Sequence, residues 1–127
     1  MNYIKTIFFV LTFATLISCQ MNEKTDEKNS ESSVVEITSF RIKNNVEKEK
    51  FIEVAKKMEE EFLKNQNGYI SRTLSVDENE QWIDIVFWRS KKDHLNALSE
   101  SEKSQYALPF INAIDFETVE MKLNQIK

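Results

Sequence analysis

The chain has 127 residues, a formal net charge of -4, and a single Cys, a single His, a single Gly and a single Pro. That is room for one small domain, and the lone Gly excludes glycine-rich phosphate loops, which need several glycines where backbone amides approach phosphate. One Cys and one His exclude a Cys/His zinc cluster, an iron–sulfur site and an internal disulfide; the acidic balance argues against nucleic acid as a partner. No metal site can be assembled from the carboxylates at their spacings.

The chain opens with Lys5, followed by an apolar stretch over residues 7–17 interrupted only by Thr12 and Thr15. This is the layout of a secretory signal, and it is shorter than the roughly 20 apolar residues that cross a bilayer. It ends in Leu16-Ile17-Ser18-Cys19, which resembles the bacterial lipobox, where the Cys is lipidated before cleavage. Residues 1–18 are thus read as a lipoprotein signal peptide and Cys19 as the lipidated residue, an anchor with enough acyl chains to hold the protein at a membrane. Gln20 stands where an Asp retains enterobacterial lipoproteins at the inner membrane. The expected address is therefore the bacterial cell envelope, with the outer membrane favoured over the inner. Up to residue 33 the chain is polar apart from Met21 and cannot bury enough surface to offset its ordering entropy, so residues 19–33 are a tether and 34–127 the domain.

Val34–Ile42 alternates Val35, Ile37 and Ser39 against Glu36, Thr38 and Phe40, which predicts a strand broken at Asn44-Asn45. Phe51, Val54, Ala55, Met58, Phe62 and Leu63 recur at helical spacing, Glu and Lys filling the solvated face. The helix should stop near Asn67-Gly68, the Gly serving as a left-handed cap. Tyr69–Val76 alternates again, Asp77 to Glu80 form a polar turn, and residues 82–89 make the strongest strand. Ser90 with Asp93 three residues on predicts a helix start, continued through His94, Leu95, Ala97 and Leu98. A further helix is expected over 105–113, bent or started by Pro109, and a last strand over 116–123. The order βαββαβ is that of a ferredoxin-like α+β domain.

The third strand is apolar on both sides: Ile83, Ile85 and Phe87 on one, Trp82, Val86 and Trp88 around Asp84 on the other. Two helices cover only one face of such a sheet, so a second copy is expected on the other face and the chain should be a homodimer. A register set by the turn puts Tyr69, Ser71 and Thr73, with Glu36, Thr38, Phe40, Thr118 and Glu120, on the Trp82 and Trp88 face. That face is taken as the one left to the partner. It suits either a small cavity for an apolar ligand or a polar-rimmed interface.

The stretch Asn67-Gly68-Tyr69-Ile70-Ser71-Arg72, the strand Trp82-Ile83-Asp84-Ile85-Val86-Phe87-Trp88-Arg89-Ser90 with its Trp-x-Ser ending, and the segment from Phe110 to Asp115 followed by Thr118-Val119 resemble the antibiotic biosynthesis monooxygenase (ABM) type of domain. The resemblance spans residues 34–127 and implies a homodimer forming a dimeric α/β barrel. Activities in that family run from cofactor-independent oxygenation of aromatic polyketides to haem degradation. Trp88 matches a Trp of the haem-degrading branch, but the first strand offers no Asn and His94 comes too early in its helix, so haem degradation does not carry over.

The resulting expectation is an envelope lipoprotein that binds a small apolar or aromatic molecule at the dimer and sheet cavity, without a cofactor. The alternatives are a cofactor-independent monooxygenase and a structural dimer with no ligand; whether the chain is an enzyme stays open. Phe40, Tyr69, Trp82 and Trp88 are the ligand-binding candidates. Asp84 and His94 are the catalytic ones: Asp84 because a carboxylate among indoles, if unpaired, has a raised pKa that suits proton transfer, His94 as the chain's one imidazole, although the first turn of a helix beside Lys91 and Lys92 also suits a solvated residue. Arg72 could pair with Asp84 or face the opposite side.

Overall fold

The computed structural model describes residues 32–127; the expected signal, Cys19 and the tether up to residue 31 lie outside the described residues. The elements run β1 (Val34–Ile42), α1 (Lys48–Glu61), β2 (Tyr69–Val76), β3 (Trp82–Trp88), α2 (Lys91–Ser101), α3 (Leu108–Ala113) and β4 (Ile114–Gln125). They form one antiparallel sheet of order β2-β3-β1-β4. This is the ferredoxin-like α+β arrangement. Among the described residues no helix is long and apolar enough to cross a membrane.

Helix α1 buries Phe51, Ala55 and Met58, at the 3.6-residue period that its sequence sets. It ends earlier than the spacing predicts: Glu61 is its last residue, and a 3-10 turn over Leu63–Asn65 carries Phe62 and Leu63 into the core. Gly68 then takes the left-handed conformation, φ 76°, and a Cβ there would collide with the Asp93 side chain. Helix α2 starts where expected, the Ser90 hydroxyl accepting from the Asp93 amide at 3.1 Å and so satisfying one of the free amides of the first turn. Its inward residues are His94, Ala97 and Ser101, the small ones letting the helix lie close on the sheet. The third helix is shorter than expected, because the chain between Glu102 and Ala107 is turn, and Pro109 sits in its first turn, where its missing amide costs nothing.

All three helices lie on the face that carries Val34, Thr38, Phe40, Trp82, Val86 and Trp88, each of them buried. Phe51 is the hub, its ring 4.7 Å from Trp82, 5.1 Å from Phe110 and 5.8 Å from Phe40. This corrects the assignment of faces. The Trp82 and Trp88 face is the one under the helices, and the uncovered face carries Val35, Ile37, Ile83, Ile85 and Phe87. The cause is that β3 reads as buried on both sides, so its own pattern cannot say which side the helices take.

Two irregularities complete the correction. Between Tyr69 and Ser71 the β2 register shifts by one residue, and a one-residue slip exchanges the faces of everything beyond it. Arg72, Leu74 and Val76 therefore sit beside Asp84 and Trp82, while Ser71 and Thr73 join the open face. Between Ser39 and Arg41 the pairing with β4 jumps from Glu120 to Asp115, so residues 116–119 bulge out of the ladder. Thr118 closes the bulge, accepting from the Arg41 amide at 2.8 Å and donating to the Asp115 carbonyl oxygen at 2.7 Å. Beyond it Met121 and Leu123, not Glu120, face the helices opposite Thr38 and Glu36.

Candidate functional site

A cavity of about 240 Å³ opens between the sheet and the helices. For scale, a dry cavity of roughly 150 Å³ can hold benzene. Strands β1 and β3 supply its floor with Glu36, Thr38, Asp84 and Val86, and the walls are apolar: Phe40, Met58, Leu63, Phe110, Ile111 and Ile114. At the mouth stand Leu98, Phe116 and Met121, which are 44%, 63% and 46% exposed. The bulge in β4 is what places Phe116 and Val119 there, and bulges recur beside functional sites because they re-aim a side chain.

Two buried polar groups meet at the floor. Glu36 Oε1 accepts from the Thr38 hydroxyl at 3.2 Å and Oε2 from the Trp88 indole N–H at 3.3 Å. The His94 Nδ1 lies 3.0 Å from Oε2, within ion-pair distance, yet makes no hydrogen bond there. Burial pushes the Glu36 carboxyl up, but His94, Trp88 and Thr38 together outweigh it and leave the group below the usual carboxylate range. Alongside, Asp84 takes a two-pronged bond from Arg72, Nε to Oδ1 at 2.8 Å and Nη2 to Oδ2 at 2.7 Å. Arg72 is fixed further by donating Nη1 to the Ala55 carbonyl oxygen at 2.8 Å and by lying 4.9 Å from the Phe110 ring centre. Burial raises the Asp84 carboxyl, and Arg72 only partly offsets it, so the group stays above its ordinary value.

Of the residues singled out in the sequence, Phe40 and Asp84 line the cavity, and Trp88 and His94 reach it through Glu36. His94 is 4% exposed, not solvated at the helix surface; it lies on the inward stripe that Ala97 and Ser101 continue. Trp82 packs on Phe51 in the core and Tyr69 donates its hydroxyl to Glu59 at 3.0 Å, both outside the lining. Burial and the Glu59 carboxylate push the Tyr69 phenol up to about 12. Asp84 and Arg72 are the buried pair rather than residues of opposite faces. Sequence reasoning passed over Glu36 as a site residue, although the one carboxylate among Val34, Thr38 and Phe40 was visible on that side of β1. Among the described residues, no three His, Cys, Asp or Glu side chains converge as a metal site.

No protein-family model and no curated protein matches the chain. Solved structures do. The chain is similar to SnoaB, a cofactor-independent oxygenase from Streptomyces nogalater, at 19% identity and TM-score 0.59, over 76% of this chain and 94% of that one. A Bordetella bronchiseptica protein assigned as an antibiotic biosynthesis monooxygenase aligns at 12% identity and TM-score 0.63, over 76% and 99% of the two chains. A monooxygenase from the gene ActVA-Orf6 of Streptomyces coelicolor, solved with nanaomycin D, aligns at 12% and TM-score 0.59, over 76% and 88%. At these identities the likeness establishes the fold, and it is the fold that the ABM resemblance implies.

Proposed function

We propose that this domain binds a small, largely apolar molecule in the cavity between its sheet and its helices, as a homodimer held at the bacterial cell envelope by lipid on Cys19. One observation carries the ligand: an apolar cavity whose floor gathers Glu36, Thr38 and Asp84, the pattern of a site that binds by shape and orients by a few polar groups. Pairing is supported by the open sheet face, where Val35, Ile37, Ile85 and Phe87 remain half-buried and Ile83 exposed without cover among the described residues. Anchoring is supported by the apolar stretch that ends at Cys19, and the outer membrane is favoured over the inner by Gln20.

Native mass spectrometry of the purified protein tests this reading. A dimer carrying extra non-covalent mass is expected. A dimer of bare chain mass that takes up no added aromatic molecule overturns the ligand and leaves a structural dimer, and a stable monomer overturns the pairing.

A second reading, cofactor-independent oxygenation, is favoured by the shared fold with SnoaB and by an ionised carboxylate at the cavity floor. Such chemistry needs a base that makes the substrate electron-rich enough to reduce dioxygen itself. Glu36 is the candidate base, because its oxygens each take one bond from a neutral donor, Thr38 or Trp88, whereas both Asp84 oxygens are held by the charged guanidinium of Arg72; His94 would act through Glu36 as a positioning residue. Under this reading Glu36→Gln lowers aromatic-dependent oxygen uptake by roughly a hundredfold or more while the fold persists. Unchanged uptake removes Glu36 from the chemistry.

A further inference from the structure

The polar side chains of the cavity can accept hydrogen bonds but have none left to give. Glu36, Asp84 and Glu102 are carboxylates, Thr38 spends its hydroxyl proton on Glu36, and Ser101 spends its own on the Leu98 carbonyl oxygen at 2.6 Å. Among the described residues no Lys, Arg or His side chain lines the cavity. Arg72, packed behind Asp84 and outside the lining, directs three of its five N–H groups to Asp84 and the Ala55 carbonyl oxygen.

Acceptor capacity, in contrast, is left over. A carboxylate has about four lone-pair sites; Glu36 receives the two donors Thr38 and Trp88 and has His94 Nδ1 3.0 Å from Oε2, which leaves Oε1 with room for a further donor, and Asp84 receives two from one arginine. A carbonyl or carboxylate end brought into this cavity would leave its own oxygens unsatisfied and add repulsion, which costs affinity twice. An end that carries N–H or O–H would complete the floor.

Resting on the ligand-binding reading above, we infer that the cavity takes an apolar molecule whose polar end is a hydrogen-bond donor, foremost a protonated amine, and that it rejects carboxylates. Glu36 is the acceptor, and Glu102 adds negative charge at the mouth, where Leu98, Phe116 and Met121 admit the apolar body.

Calorimetric titration of the purified protein with four compounds sharing one ring system tests it: naphthalene, naphthylmethanol, naphthylmethylamine and naphthoate. The amine is expected to bind about tenfold to a hundredfold more tightly than naphthalene, with the alcohol between them and naphthoate weakest. Naphthoate binding as tightly as the amine, or an amine no tighter than naphthalene, overturns the inference while the cavity reading stands. Binding of none of the four overturns both. In Glu36→Gln the advantage of the amine should collapse while naphthalene still binds, which shows that the cavity persists; an undiminished advantage overturns the role of Glu36. Should that variant fail to fold, the series on the unmodified chain decides alone.

Discussion

At the centre of the sheet the two faces have reversed chemistry. The face under the helices holds the charged groups Glu36, Asp84 and Arg72, whereas on the open face Val35, Ile37 and Ser39 of β1 and Ile83, Ile85 and Phe87 of β3 carry no charge, the charges of that face lying at its margin on Arg41, Glu120 and Lys122. A fold concerned only with stability would distribute them the other way, since buried charge costs several kcal/mol per ion before pairing repays any of it. The covered face gives up stability for a polar cavity floor, and the open face leaves its central apolar residues without cover among the described residues, as the proposed pairing requires.

The largest effect should come from breaking the Arg72 and Asp84 pair. The Arg72 side chain is 1% exposed and that of Asp84 10%, so Arg72→Leu strands a carboxylate in the core. A loss of about 3–5 kcal/mol is expected by urea denaturation. Replacing both, Arg72→Leu with Asp84→Leu, should recover most of it, because an apolar pair of similar size often matches a buried ion pair. A double variant as unstable as the single one would mean that the arginine's bond to Ala55 and its contact with Phe110 matter more than the charge.

Charge placed on the open face should do the opposite: leave the protomer folded and separate the proposed dimer. Phe87→Lys brings like charges together across a symmetric interface, a cost of several kcal/mol, so sedimentation should show monomers at concentrations where the parent chain is paired. Unchanged thermal unfolding of the separated chain would distinguish loss of pairing from loss of fold.

The two carboxylates of the floor should respond to pH in opposite directions. Glu36 lies below its ordinary value in the fold, so its contribution is present above the unfolded-state pKa of about 4.3 and is lost as pH falls through its lower folded value. Asp84 lies above its ordinary value, so its contribution is present below the unfolded-state pKa of about 3.9 and is lost as pH rises through its folded value. Against Glu36→Gln, the parent chain should lose relative stability on acidification; against Asp84→Asn, it should gain. Parallel profiles for the two variants would mean that burial, not the partners, governs both groups.

This opposition was only half legible in the sequence. Element order could be read because the hydrophobic period switches between 2 and 3.6 at each boundary, and Ser90 with Asp93 marked the start of α2. The faces could not, because Trp82 to Trp88 is apolar on both sides and the bulge at Ile70 has no local signal. The same bulge brings Arg72 to Asp84, so the pair that dominates the floor depends on a one-residue irregularity. Phe116 entered the site through a second bulge, in which Thr118 reads as an ordinary strand residue and Asp115 as lying before the strand, until Arg41 is seen to pair with Asp115 and to donate to Thr118. His94 could have been placed inward by its spacing to Ala97 and Ser101, but small residues on a short helix carry little periodic signal.

The smallest effects test how the connection between β3 and α2 holds His94 against Glu36. Gly68 accepts from the Arg89 amide at 2.8 Å, and its left-handed backbone leaves the space that the Asp93 side chain fills. Gly68→Ala should cost about 1–2 kcal/mol from the conformation alone, and more if Asp93 is displaced from Ser90. Ser90→Ala removes the cap and should cost about 1 kcal/mol. The two losses should fall short of additive when the changes are combined, because both act through Asp93, whose carboxylate accepts from the Ser90 hydroxyl at 3.0 Å. Full additivity in thermal unfolding would show that the glycine and the cap act independently, and that His94 is held in place by packing on Trp88 rather than by the start of its helix.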